Sequence, residues 1–442
     1  MNKILNFILT SILLLPLTAQ AACSKVTSTT SLSAEMIAAG YTAASWAGAC
    51  RSCNGPLGLP PVISVSSSGS FMPGGTLLAS SVANFTIAAT TNGFSANQIL
   101  FRCALADADS LYEVYATQSY SAYAGANETS DIPGAYHTYV RGVAIRLTNM
   151  KSGNYFTGYW QSRKMTADEY HQDENYIYIP ASAFSDVFVE LFKTASTVYT
   201  GGNSSNYYVF TNNLGNGFST LRGPGMNATL VDGAWEGNTY GGWPSNWPGK
   251  FGMTNDLTFV RGAMCLIKDY PSVVLIPSIT ESELNSGSSS QQNFSVNLSC
   301  EDNAISSVSK STASSANVAM GFMVNQSGSF AAATNLGLVQ TGGGITYLLD
   351  NNYGAPGVAS GVGIRIYNES GTALNLLPSR TTNTGNAGGW YAYKDLTTSQ
   401  GDSTDGVTTH TGNFTASLEA ISGQTATAGT VNAQLQVVVS FQ

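Results

Sequence analysis

Apolar and polar residues alternate most regularly at the end of this chain. From Val431 to Gln442, Val431, Ala433, Leu435, Val437, Val439 and Phe441 fall on one face of an extended strand. Asn432, Gln434, Gln436, Ser440 and Gln442 fall on the other, and only Val438 breaks the rule. A period of two is that of a half-buried strand. Termini normally fray unless a sheet ties them down, so this strand is a candidate docking edge for another polypeptide. Shorter strand-like runs recur between turn clusters, at 84–89, 98–104, 142–147, 176–179, 187–192, 207–210, 257–260, 273–276, 294–298, 318–324, 361–367 and 412–418. No segment sustains a helical period. Short strands with Gly, Asn and Ser turns predict an all-β chain built from β-sandwiches.

The 442 residues suffice for two ordinary domains. Lys3, the apolar run 4–17 and the small-x-small site Ala19-Gln20-Ala21 make residues 1–21 a secretory signal peptide, cleaved before Ala22. The run is too short to span a membrane. Gln20 stands where acylation of Cys23 would call for an aliphatic residue. An aromatic, Gly- and Pro-rich stretch, 232–253, ends where a cysteine-bounded unit begins. The expected division is 22–258 and 259–442. Residues 142–149 and 361–368 echo one another, as two ordinary sheet strands or as a trace of two related sandwiches.

Composition narrows the class. With 18 Lys and Arg against 26 Asp and Glu, nucleic acid is excluded as a partner. Abundant aromatic and β-branched residues exclude disorder. Six cysteines in an exported chain predict three disulfides. The Cys50–Cys53 spacing lacks a second pair or a βαβ context, which points to structure rather than redox or zinc chemistry. Cys265 and Cys300 stand apart and are expected to pair. The order among Cys23, Cys50, Cys53 and Cys103 is open.

Three patches carry candidate chemistry. The densest holds Asp232, Trp235, Glu236, Asn238, Tyr240, Trp243, Asn246 and Trp247. Sugars present apolar C–H faces and fixed hydroxyls, so aromatic platforms beside carboxylates and amides suit a glycan. The competing reading has Trp235, Trp243 and Trp247 filling a local core or packing against the second domain. Tyr112, Glu113, Tyr115, Tyr120 and Tyr123 form a second patch, in which alternation favours a strand face. His171, Asp173 and Glu174 form a third, read as a solvated loop rather than a metal site. Signatures of nucleophilic, metallopeptidase or phosphate-binding sites are missing. The expectation is no catalytic residue, no metal and no cofactor.

The C-terminal half resembles the pilin domain of chaperone–usher fimbriae. The likeness rests on penultimate Phe441, on Gly429 at the fourteenth position from the end, on the alternation between them, on the Cys265–Cys300 spacing, and on 361–366 followed by Asn368-Glu369-Ser370-Gly371-Thr372. It implies an incomplete immunoglobulin-like sandwich lacking its last strand. A periplasmic chaperone fills the groove and pairs with the terminal strand, and at the outer-membrane usher the next subunit's N-terminal strand replaces it. Gly429, Val431, Ala433, Leu435, Val437, Val439 and Phe441 are the residues this implies for strand pairing. Cys23 follows Ala22 at once, leaving no room for a donor strand of its own. The resemblance therefore implies a two-domain tip adhesin at the cell surface, with a lectin-like first domain taking a host or environmental glycan. A ligand-free structural or initiator subunit and an exported glycoside hydrolase are the alternatives.

Overall fold

A computed structural model describes residues 22–50, 53–66, 71–195, 202–211, 215–254, 257–312, 315–401 and 403–442. Residues 1–21, the expected signal peptide, lie outside them, as do Arg51, Ser52 and Asp256. The chain is all-β and forms two β-sandwich units, each with its own core.

Antiparallel sheets build the N-terminal unit. One orders Leu77–Ala83, Val187–Lys193, Val143–Asn149 and Ala135–His137. A second orders Gly249–Phe251, Gly217–Arg222, Tyr112–Thr117 and Gln161–Lys164. A third joins Ser24–Lys25, Ile99–Ala104, Tyr176–Pro180 and His171–Gln172. Phe85, Phe101, Phe156, Phe184 and Phe251 fill the core between them. The Cys23–Cys103 disulfide stitches the first described strand into this unit, and Cys50 pairs with Cys53.

The C-terminal unit stacks two sheets. Cys265–Asp269, Ser290–Glu301, Val407–Ala420 and Val362–Asn368 form one, with Cys265 bonded to Cys300 across its first pair. In the other, Asn317–Val324 is central, with Leu435–Phe441 along one side and Ile305–Ser306 and Tyr391–Ala392 along the other. Phe294, Phe322 and Phe414 interlock between the sheets, with ring centroids 4.8–6.0 Å apart.

One strand serves both units. Thr258–Gly262 pairs antiparallel with Tyr207–Val209 and parallel with Val62–Ser66. Successive side chains on a strand point to opposite faces, so Phe259 enters the first core and Val260 the second. Met72 and Met264 also reach into the second core. Beside them the Glu301 carboxylate accepts from Met264 N at 2.8 Å and from Ser66 Oγ at 3.2 Å.

Two expected strands are not strands. Residues 84–89 contain a helical turn, Phe85–Ala88, because a distant carboxylate caps it: Asp186 accepts from Phe85 N at 2.8 Å and from Asn84 Nδ2 at 2.9 Å. Residues 273–276 keep the alternation, with Val274 and Ile276 turned to the core and Val273 and Leu275 67% and 79% exposed. They lie in no assigned strand. The internal echo is local. Both copies follow a glycine with positive φ, but Val143–Asn149 lies inside its sheet and Val362–Asn368 at an edge.

Gly429 has a steric reason. A Cβ there would sit 2.3 Å from the backbone nitrogen of Ala359, against which the chain packs before turning into the terminal strand. Gly429→Ala is expected to destabilise the C-terminal unit by about 1–3 kcal/mol, read as a lower denaturant midpoint with an unchanged slope.

Candidate functional site

The first candidate site is an aromatic face on the N-terminal unit, assembled from segments distant in sequence. Residues 158–160 and 233–236 pair antiparallel: Trp160 N donates to Ala234 O, Gly233 N to Trp160 O and Glu236 N to Gly158 O, at 2.9–3.0 Å. This ladder sets Tyr159 opposite Trp235. A third segment joins through a buried clip. The Glu236 carboxylate accepts from Ser119 N at 2.7 Å and Ser119 Oγ at 3.1 Å, and Gly237 N donates to Ser119 Oγ at 2.7 Å. Tyr120 is thereby brought up beside Tyr240, whose hydroxyl donates to Gly237 O. Tyr120, Tyr159, Trp235 and Tyr240 stand 42–56% exposed.

The rings are held in place from beneath. Trp235 lies over Gly237 so closely that a Cβ at 237 would sit 2.5 Å from its ring. Trp160 is fully buried under the loop and donates its Nε1–H to Thr239 O at 3.3 Å. Asp232 is exposed at the margin and accepts from Ser162 Oγ at 2.7 Å, while Asn238 points to solvent.

Burial removes two of the expected glycan contacts. Trp247 is fully buried, edge-on to Trp160, Trp243 and Phe218 at 4.9–5.3 Å, with its N–H satisfied by Gly241 O. Glu236 is 1% exposed and acts as the clip. Trp243 is partly exposed but braced against Phe218 and Trp247, so the tryptophans pack within their own unit, not against the second. Asn246 is half-buried, with its carbonyl accepting from Thr220 Oγ1. Asp232, Trp235, Asn238 and Tyr240 remain on the surface.

The other two patches are mainly scaffold. Tyr115 is buried, and Glu113, fully buried, accepts from Arg163 Nε at 2.5 Å and Ser219 Oγ at 2.7 Å. Tyr123 packs edge-on to Tyr139. Asp173 closes its own turn, accepting from Asn175 N, Tyr176 N and the Tyr178 hydroxyl at 2.7–2.8 Å. His171 packs on Tyr41, and Glu174 is exposed. Nearby, Lys151 and Arg163 converge on Glu169, whose carboxyl they hold at about 2 against the opposing effect of burial.

The second candidate site is the edge of Leu435–Phe441. Its register with Asn317–Val324 runs Val318↔Phe441 to Val324↔Leu435. Gln442 N donates to Asn317 O at 2.8 Å, so the even-numbered residues make the ladder. In an antiparallel pair the alternate residues then turn N–H and C=O outward: Leu435, Val437, Val439 and Phe441. Their side chains, with Ala433, face the second core, where all but Phe441 are only half covered. Val438 is buried on the opposite face with Ala319, Leu377 and Trp390. Val431 and Gly429 lie before the strand, Val431 against a satellite cluster around Leu284. Cys265–Asp269 runs close beside the terminal strand, and the chain continuing from it is the unladdered, alternating stretch 270–277.

An outward ladder, half-covered core residues and an unpaired alternating run describe a sandwich short of one strand. Residues 253–442 match the family model described as Fimbrial protein. That stretch carries a fimbrial protein domain. Among solved structures, the chain is similar to the P pilus rod subunit PapA (15% identity, 40% of this chain and 99% of that chain, TM-score 0.23). It is similar to the CupB6 tip adhesin from Pseudomonas aeruginosa (13% identity, 88% and 93%, TM-score 0.23). It is also similar to a chain of the CsuC–CsuE chaperone–tip adhesion subunit complex of Acinetobacter baumannii (14% identity, 86% and 97%, TM-score 0.20). The family match, not these likenesses, carries the assignment. No curated protein matches the chain.

In the sequence Tyr120 and the 232–247 loop fall into different patches. The buried carboxylate of Glu236, which joins them, has no signature in its neighbours. Burial pushes that carboxyl up to about 7, against the hydrogen bonds from Ser119 and Tyr120 N. The native state thus holds its proton more tightly than the unfolded chain, whose carboxyl titrates near 4.5. The associated stability is present below that value and lost as pH rises through about 7. Between these limits the wild type is expected to lose roughly 2–3 kcal/mol relative to Glu236→Gln, measured by denaturant unfolding of both proteins across pH.

Proposed function

We propose that this subunit is a fimbrial tip adhesin that attaches the cell by noncovalent binding of a host or environmental glycan. In this reading residues 22–258 are the attachment domain and residues 259–442 the pilin domain. A periplasmic chaperone fills the pilin groove, and at the outer-membrane usher the next subunit inserts its N-terminal strand instead. Backbone pairing along an open edge supplies affinity, and pockets for alternate side chains supply specificity.

The observation that carries the attachment role is the braced aromatic face. Apolar rings half exposed to water cost hydration free energy unless something covers them. These rings are locked by Gly237, Trp160 and the Glu236 clip, so a ligand loses little by ordering them. Asp232 and Asn238 place hydroxyl-binding groups beside them. Attachment of this kind uses no cofactor and breaks no bond. The tip position is supported by the N-terminal segment itself. Cys23 and Ser24–Lys25 are bound into their own domain by a disulfide and a strand pair, and so do not serve as a free donor.

A glycan array with the full-length mature subunit tests the reading. A preferred glycan is expected, with Trp235→Ala or Tyr240→Ala weakening it about tenfold or more at an unchanged melting temperature. Binding that survives the combined loss of Tyr120, Tyr159, Trp235 and Tyr240 removes this face from the function. Capture of a protein and no glycan changes the receptor class, and turnover of a labelled glycan favours the hydrolase alternative.

A further inference from the structure

The outward edge of the terminal strand differs along its length. At Leu435, Val437 and Val439 the outward N–H and C=O groups have no hydrogen-bond partner among the described residues. At Phe441 both are engaged. Phe441 N donates to Ser64 Oγ at 3.0 Å, and Phe441 O accepts from Ser440 Oγ and from Gln442 Nε2, each at 3.2 Å. Ser64 Oγ also lies 3.4 Å from Ser440 Oγ. Ser64 sits in Val62–Ser66, a strand of the N-terminal unit held in place by its parallel pairing with Thr258–Gly262.

The side chains follow the same division. Ala433, Leu435, Val437 and Val439 are half covered, whereas Phe441 is 1% exposed. A Cβ added to Gly262 would already touch its ring, at 3.8 Å. At that point the core position is filled from within, and the backbone edge is capped by a hydroxyl of the other unit.

We infer that the N-terminal unit closes one end of the strand-accepting edge, with Ser64 as the stop, so that an added strand pairs along Leu435–Val439 and ends before Phe441. The inference rests on reading this edge as an acceptor. The partner is an extended peptide with alternating apolar side chains seated beside Ala433, Leu435, Val437 and Val439. Its contact length is about 5–7 residues, or roughly 17–24 Å of strand. The residue that meets Ser64 must be small or polar, because no apolar pocket remains there. The N-terminal unit thereby sets the register of the incoming strand. A one-residue slip would turn every apolar side chain away from the core, and a fixed end prevents that slip.

Peptides of alternating Val and Lys, capped at both ends, with lengths of 5, 7, 9 and 11 residues, provide the probe. Binding to the full-length mature subunit is followed by fluorescence anisotropy, and backbone protection by hydrogen exchange. Affinity is expected to rise from 5 to 7 residues and then to change less than about twofold, since added residues find no further edge. The Val437 and Val439 amides are expected to exchange rapidly alone and slowly with peptide. Phe441 is expected to be protected in both states, and to lose that protection in Ser64→Ala. Affinity that keeps rising to 11 residues, or Phe441 protection that appears only with the longer peptides, overturns the stop. Failure of every length to bind, with Val437 and Val439 unprotected throughout, overturns the acceptor reading beneath it.

Discussion

A strand hydrogen-bonded on one side only leaves half of its backbone groups to water and half of its core-facing side chains uncovered. Leu435–Phe441 is in that position. Its even-numbered residues pair with Asn317–Val324, the buried central strand of its sheet. Its odd-numbered residues hold up the rim of the second core from a free edge. The neighbouring run 270–277 shows the same deficit from the other side, with alternate burial along its apolar residues and no ladder. The half-covered core of this unit and its open edge both derive from this one-sided pairing, because an open edge with an apolar face is stable only while something covers it.

The junction between the units decides how far that edge stays open. Thr258–Gly262 sends adjacent side chains into two cores, so the units meet in a shared strand rather than a loose linker. Glu301 ties Ser66 and Met264 together beside it, and Ser64 reaches the last residues of the terminal strand. The N-terminal unit is thus part of the groove's architecture as well as its passenger.

At the aromatic face the same economy operates on side chains. A buried carboxylate without a cation is costly, and Glu236 offsets that cost by accepting from Ser119 and by holding its proton up to about 7. What it secures is position: three chain segments are locked so that their rings face outward together. The tryptophans that look most exposed in the sequence divide accordingly, Trp247 becoming core and Trp235 surface.

The sequence by itself determined the all-β class, most of the long strands and the alternation that marks the terminal strand. These depend on a period of two, which is local. It also marked Val438 as irregular without a reason. The reason is tertiary, since Trp390, Leu377 and Ala319 cover that face as well. Residues 84–89 were misread because a carboxylate a hundred residues away caps them into a helical turn. The union of Tyr120, Tyr159 and Trp235, the burial of Glu236 and the cap of Ser64 on Phe441 were likewise invisible. Each depends on which distant segments pack together, and periodicity carries no record of that. Alternation told which face of the last strand seeks a core; only the packing of two units decided how much of its edge remained to be filled.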